Sequence, residues 1–353
     1  MSISNQIELI SLLSKNRDAY SHKVSKVAVE QTHISWIILT GQFAYKIKKD
    51  LKFGRILDFS TLSLRKKFCQ NEVDINSVLC RDMYKGVVKV IKQKKEKIED
   101  EEDDAIKVVD IKSKGKALEY AVKMLEIPQK FRMDNLLLQQ DKINPDTIDK
   151  LTSILVKFHR TTPTSKKIRS SGRPEFMKRK VNENFLTLSK LTTLDPKFEG
   201  RLNVFIKDKR NFFLERIRDD KIRDIHGDLY LKNVFIVPDN NFYLYDRIEF
   251  NDSLRYADVA EDVAHLAMDL DFHGRSDLKK HLISGYIFQS KDHGLENIVN
   301  FLMCYKACVR VKVSLFLAKG LDKNKSNDRK KIKQAQEESR AHLQLAESYL
   351  ELL

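Results

Sequence analysis

The sequence predicts an α+β chain of two lobes, a strand-rich N-lobe over residues 1–125 and a larger helical C-lobe over residues 126–353. Three observations carry this expectation. Short apolar and β-branched runs separated by turn residues crowd the first third, whereas a helical apolar period dominates the remainder. The change falls near residues 125–130, where Pro128 follows the last strand-like run. Eleven glycines and six prolines in 353 residues lie well under the roughly 7% and 5% of average chains, which leans the composition towards helix.

The opening MSISNQIELISLLSK reads as an amphipathic helix and lacks the basic flank and long apolar run of a secretory leader. VSKVAVE (24–30), ISWIILT (34–40) and FAYKIK (43–48) read as strands, the last two joined by a tight turn at Gly41-Gln42. Residues 61–80 interleave Leu64, Phe68, Val73, Ile75, Val78 and Leu79 with charge, which predicts a helix. GVVKVI (86–91), IKVVDI (106–111) and LEYAVKML (118–125) complete the strands. The charged KQKKEKIEDEEDDA between the first two reads as a solvated hairpin tip. Helices are then expected at 133–140, 145–160, 175–191, 197–217, 256–271, 276–290, 294–319 and 328–352.

With 42% apolar residues the chain can bury a sizeable core, which excludes a disordered protein. Its 65 basic and 50 acidic residues leave +15, a balance that suits nucleic acid, a membrane surface or a phosphorylated small molecule without choosing among them. Residues 165–180 and 319–333 hold most of the excess. No apolar run approaches the ~18 residues of a membrane span, so a cytoplasmic protein is expected. Cys304 and Cys308 stand four apart on a helix with no third ligand nearby, and all four cysteines, Cys69 and Cys80 included, read as buried small residues.

The chemistry gathers in His226-Gly227-Asp228-Leu229-Tyr230-Leu231-Lys232-Asn233, followed by VFIV, the turn PDNN, FYLY and Asp246. The two apolar runs predict a β-hairpin, which brings Asn233, before its first strand, beside Asp246, after its second. Asp228 lies five residues before Asn233. One carboxylate and one amide suit a hard divalent cation such as Mg²⁺, and a second carboxylate set apart suits a base for a hydroxyl. Turn and cap roles explain each residue singly, but not the joint spacing D-x-x-x-x-N with an Asp after a hairpin, which is that of a kinase catalytic loop. A kinase also needs a lysine for the nucleotide phosphates and a glutamate to hold it. Lys46, in FAYK, and Glu72, on the following helix, fit those roles, with Lys48 a competitor on the same strand face.

HGDLYLKN, FAYKIKK and YDRIEFNDSLRYADVAEDVAHLAMDLD resemble the aminoglycoside phosphotransferase family of the protein-kinase-like fold. Within it they are most similar to a bacterial and archaeal branch in which some members are fused to a P-loop kinase, and THISWIILTG, LDFSTLSLRKKFCQNEV, YKGVV, FHRTTP and YKACVRVKV extend the likeness across nearly the whole chain. No GxxxxGK[ST] occurs. The resemblance implies a bilobal kinase-like fold, Mg²⁺ and ATP (or GTP) as cofactors, and a small-molecule hydroxyl as acceptor. It makes Asp228 the catalytic aspartate, Asn233 and Asp246 the magnesium ligands, Lys46 the phosphate-binding lysine, Glu72 its partner and His226 a structural residue of the loop. It places Thr32 and Ser35 where hydroxyls meet the nucleotide, and residues 122–126 where backbone reads the base.

Two departures matter. Arg247-Ile248 stands where a protein kinase has Phe-Gly, and about ten residues separate Asp246 from the next helix, too few for a peptide-docking segment. For the acceptor, Glu249 and Asp252 suit an amine and Arg310 and Lys312 an anion, while caps and a solvated stripe explain the same residues equally. Asp258 and Asp262 read as braces of their own helix, and His159 and His265 as core histidines. The competing functions are a basic nucleic-acid-binding protein, a pseudokinase and a nucleotidyl transferase on the same fold. The first is weakened because Phe176 alone interleaves the basic segments with an aromatic ring.

Overall fold

The computed structural model describes residues 3–54, 56–93, 105–139, 142–238, 241–321 and 326–353, which form two compact units. The first comprises residues 1–129 and 243–251, the second residues 130–242 and 252–353. Most of the expected charged hairpin tip and part of the basic segment 319–333 lie outside the described residues.

In the first unit α1 (Ile3–Lys15) precedes β1 (Ala28–Gln31), β2 (Ser35–Leu39) and β3 (Phe43–Lys48). A small ribbon, β4 (Lys52–Phe53) with β5 (Leu57–Asp58), leads into α2 (Leu62–Cys80), β6 (Tyr84–Gln93), β7 (Ala105–Asp110) and β8 (Ala117–Leu125). The six long strands make one antiparallel sheet in the order β1-β2-β3-β8-β6-β7. Strand alternation sorts β3. Tyr45 and Ile47 turn to one face, where they pack with Leu9, Ile10 and Leu13 of α1 and with Ile38, Val90 and Ala121. Lys46 and Lys48 turn to the other and meet α2. That helix starts at Thr61, whose hydroxyl accepts from the Leu64 N–H at 3.2 Å.

The second unit runs α3 (Met133–Leu137), α4 (Pro145–Thr161), α5 (Lys166–Ser170), α6 (Pro174–Leu188), α7 (Lys197–Asp208) and α8 (Arg210–Arg218). β9 (Ile222–Asp224) and β10 (Val234–Val237) follow, then β11 (Asn241–Leu244), whose residues 243–244 belong to the first unit; β10 and β11 form a two-stranded sheet. Next come α9 (Asp252–Arg255), β12 (Tyr256–Asp258), α10 (Ala260–Phe272), α11 (Ser276–Ser290), α12 (Val299–Gly320) and α13 (Ser326–Leu350). Every residue of α10 from Ala260 to Leu270 is buried, against α11, α12 and α13. An apolar helix buried all round is ordinary in a core; one that also carries Glu261, Asp262, His265 and Asp269 must find partners for them.

Several expected elements differ. The 197–217 helix breaks at Lys209 into α7 and α8. The first residues of the 256–271 helix instead form β12, paired with β9. The expected helix from 294 begins as a 3₁₀ turn at His293–Asn297 and becomes α-helical at Val299. Among the described residues no helix is long and apolar enough to cross a membrane, and all four cysteines are buried and unpaired.

Candidate functional site

In the first unit Lys46 and Lys48 share one carboxylate. Glu72 accepts from Lys46 Nζ at 2.9 Å through Oε1 and from Lys48 Nζ through Oε2. Each lysine then has a second acceptor: Asp246 Oδ1 at 2.5 Å for Lys46, and Glu249 Oε1 for Lys48. The two lysines differ in the exposure of their second partners. Lys48 is sealed with Glu249, whereas Lys46 ends at Asp246, whose side chain is 37% exposed. Burial works against the charge on Lys46, but Asp246 and Glu72 outweigh it and hold its pKa well above the usual lysine range. Asp246 has φ +66°, a left-handed backbone that few non-glycine residues take, and its N–H donates to the Tyr84 hydroxyl at 3.3 Å.

Helix α2 also grips the chain just after Asp246. The Arg247 N–H donates to Asn76 Oδ1 at 2.8 Å, Asn76 Nδ2 donates to the Arg247 carbonyl at 3.4 Å, and Arg247 Nη1 donates to the Ile75 carbonyl at 2.9 Å. Sequence reasoning missed Asn76. Its spacing of four from Glu72, which sets both on one helix face, was the available signal.

In the second unit the loop from Ile225 to Asn233 is held by carboxylates of α10. Asp262 accepts from the His226 N–H at 2.8 Å and the Gly227 N–H at 3.0 Å, and its Oδ2 pairs with His159 Nε2 at 3.1 Å. Burial opposes the charge on Asp262, yet these donors win and bring its carboxyl down to about 2. One heptad on, Asp269 accepts from the Leu231 N–H at 2.8 Å. Lys306 of α12 donates to the Gly227 carbonyl at 3.3 Å and pairs with Glu261, which Lys180 of α6 also meets at 2.6 Å. The loop backbone is therefore fixed on both sides of Asp228, while the Asp228 side chain stays 42% exposed. Asn233 Nδ2 donates to the Asp228 carbonyl at 2.9 Å, which turns its Oδ1 away from that bond.

Asp262 does not brace its own helix as expected; it organises the loop. Asp258 does cap α10, at the Ala260 N–H at 2.9 Å, and it also takes both Nε and Nη2 of Arg216. His159 is a core histidine, its Nδ1 facing the Tyr286 hydroxyl at 2.8 Å. His265 is buried too, stacked on Tyr230, with Nδ1 3.8 Å from Asp228 Oδ1. His226 is fully buried, and its N–H is one of those that Asp262 accepts.

Other expectations change. Ser35 lies on the sheet face it shares with its cross-strand partner Lys48, but it is fully buried there and its hydroxyl is not exposed to a ligand. Thr32 is exposed, but its Oγ1 accepts the N–H groups of Ser35 and Ile34 and so closes the β1–β2 turn. In residues 122–126 the Leu125 N–H is spent on the Met83 carbonyl and the Glu126 N–H on the Gln42 carbonyl, since β8 is paired on both edges. Glu249 does not face an acceptor: it is the buried counterion of Lys48. Asp252 is bound to Lys167 and Arg255. Arg310 stacks on Tyr230 at 4.5 Å, near the Asp228 charge, but Lys312 stands about 200° around the helix beside Glu183. They do not act as one anion clamp. Burial brings the Lys312 ammonium down to about 8. Within the basic segment 165–180, Lys167, Arg169 and Lys180 are paired with Asp252, Asp220 and Glu261, which leaves less charge for nucleic acid than the sequence suggested.

No family model matches the chain. Uncharacterized proteins of Mycobacterium tuberculosis and Mycobacterium bovis are 29% identical to it over 293 residues, 81% of this chain and 54% of theirs. The chain thus spans about half the length of these curated relatives. Among solved structures it resembles the GDP and kanamycin complex of APH(2")-IIIa, with a TM-score of 0.53 and 14% identity over 95% of this chain and 98% of that one. The GDP complex of wild-type aminoglycoside 2'-phosphotransferase-IIIa gives a TM-score of 0.52 and 14% identity, covering 98% of each chain. The protein has the kinase-like α+β fold of the aminoglycoside phosphotransferases.

Proposed function

We propose that this protein is a small-molecule kinase that transfers the γ-phosphoryl of Mg·ATP or Mg·GTP to a hydroxyl of a small acceptor. The carrying observation is the set Lys46, Glu72 and Asp246: a buried lysine, fixed by a helix glutamate, ends at a half-exposed aspartate. Such a lysine binds nucleotide phosphates, and its glutamate keeps it from collapsing elsewhere. The fold neighbours were captured with GDP and in one case with kanamycin, which supports a nucleotide and a small molecule as ligands.

Asp246 and Asn233 are the proposed magnesium ligands, and the residues fit that ion. Asp246 is a carboxylate whose Oδ1 accepts from Lys46, and Asn233 has its amide nitrogen fixed on the Asp228 carbonyl. Among the described residues no group of three or more His, Cys, Asp or Glu side chains suits a metal. A magnesium ion needs only one or two protein oxygens beside substrate phosphates. Once bound, it neutralises charge that develops on those phosphates.

Asp228 orients the acceptor hydroxyl and takes its proton. Its fixed main chain and exposed carboxylate suit a group that must meet a ligand without searching. The experiment is a screen of hydroxylated metabolites with Mg·ATP and Mg·GTP, read as acceptor-dependent release of nucleoside diphosphate, followed by Asp228→Ala. Transfer falls by roughly 10²–10⁴ while nucleotide still binds. Turnover near wild type in that variant refutes the proposal. Mass spectrometry of the product separates phosphoryl from nucleotidyl transfer.

A further inference from the structure

We propose that Lys48 and Glu249 are positioning residues, a buried pair that fixes Glu72 and the segment carrying Asp246 in their assembled arrangement. This rests on the reading of Lys46, Glu72 and Asp246 as the nucleotide-binding group.

Glu72 is fully buried and has two oxygens to satisfy. Lys46 answers one. Without Lys48, the second would be a buried, charged acceptor with no donor, and the carboxylate would be free to turn. Lys48 in turn is an ammonium with no solvent exposure, beside the Phe59 ring at 5.3 Å and the Cys69 thiol. Glu72 and Glu249 are its two counterions, and they hold its pKa above the usual lysine value although burial opposes them. Lys48 and Glu249 together add no net charge, so what they contribute is direction.

The same pair ties two stretches distant in sequence. Glu249 lies three residues after Asp246, and α2 carries Glu72, Ile75 and Asn76. Lys48 joins Glu72 to Glu249, Asn76 grips the Arg247 backbone in both directions, and Arg247 reaches the Ile75 carbonyl. Helix α2 cannot move off β3 without also breaking buried charges and dragging the Asp246 segment. The pair therefore joins β3, α2 and the Asp246 segment through one set of buried charges.

The test is hydrogen-exchange mass spectrometry on the full chain, comparing wild type with Glu249→Gln, Glu249→Leu and the double variant Lys48→Met/Glu249→Leu. Glu249→Leu loses protection about tenfold or more in Leu62–Cys80 and in 243–251 together, with the second unit unchanged. Glu249→Gln, which keeps an oxygen for Lys48, changes both by less than about threefold. If Glu249→Leu does not fold, the double variant, which leaves no unpaired lysine, gives the same reading. Unchanged protection in α2, or loosening of α2 without 243–251, overturns the proposal. Mg·ATP affinity is measured in parallel and falls about tenfold in the folded double variant. A wild-type protein that binds no nucleotide sinks the kinase reading alone, since the exchange comparison still decides whether the pair positions Glu72.

Discussion

The two units hold their chemistry by opposite means. In the first, side chains bind side chains: two lysines and three carboxylates fix one another's heads in an ionic chain that is buried except at Asp246. In the second, helix carboxylates bind main chain: Asp262 and Asp269 take the N–H groups of His226, Gly227 and Leu231, and leave the Asp228 head at 42% exposure. The difference follows from the length of the side chains. A lysine on a flexible stem is directed only by fixing its charged end, whereas a short aspartate is directed by fixing the backbone it grows from.

The largest effect expected from breaking this contrast is at Glu72. Glu72→Leu leaves each buried lysine with a single carboxylate, Asp246 for Lys46 and Glu249 for Lys48, and urea unfolding should show a loss of about 3–5 kcal/mol. Next is Asp262→Asn, which keeps one acceptor oxygen where two serve three donors; a loss of about 2–3 kcal/mol is expected by the same measurement. Its pH dependence sharpens the point. The unfolded carboxyl titrates near ~3.9 and the folded one at about 2. The stabilisation from Asp262 is thus complete above the unfolded value and is lost as pH falls towards the folded one. The variant should lose that part of the acid limb in stability measured from pH 5 to pH 2. Asn76→Ala removes neutral hydrogen bonds and should cost only about 1–2 kcal/mol.

An effect of similar size to that of Asn76→Ala has the opposite sign. Lys312 is a half-buried ammonium whose folded pKa of about 8 lies below the ordinary lysine value. The folded state therefore binds the proton less tightly than the unfolded one, and stability rises with pH between about 8 and 10.4. Lys312→Met should stabilise the protein at pH 7 by on the order of 1–2 kcal/mol and flatten that rise. Thermal melts at pH 7 and pH 10 check it.

What the sequence revealed follows the range of the forces involved. FAYKIK spans the observed β3, and Thr61 starts α2 as expected, because strand alternation and helix caps are local. The hairpin and the Asp228–Asn233 spacing were legible for the same reason. Glu249 was not: its partner Lys48 is 201 residues away, and a carboxylate reads alike whether it faces solvent or a buried ammonium. Asp262 misled because a local rule, an acid in the first helical turn, explained it before the loop did. Three-residue β12 exists only by pairing with β9, which no periodicity announces.

The return of residues 243–251 to the first unit has a consequence for how the chain is made. During synthesis the segment 1–129 emerges complete in its strands but lacking Asp246 and Glu249, the acids that neutralise Lys46 and Lys48. At roughly 5–20 residues per second, some 120 further residues postpone their arrival by seconds. Over that interval Glu72 is the one carboxylate already made among those that end up on Lys46 and Lys48. The ribosome, in effect, withholds the last piece of the N-terminal unit until much of the helical unit is already outside.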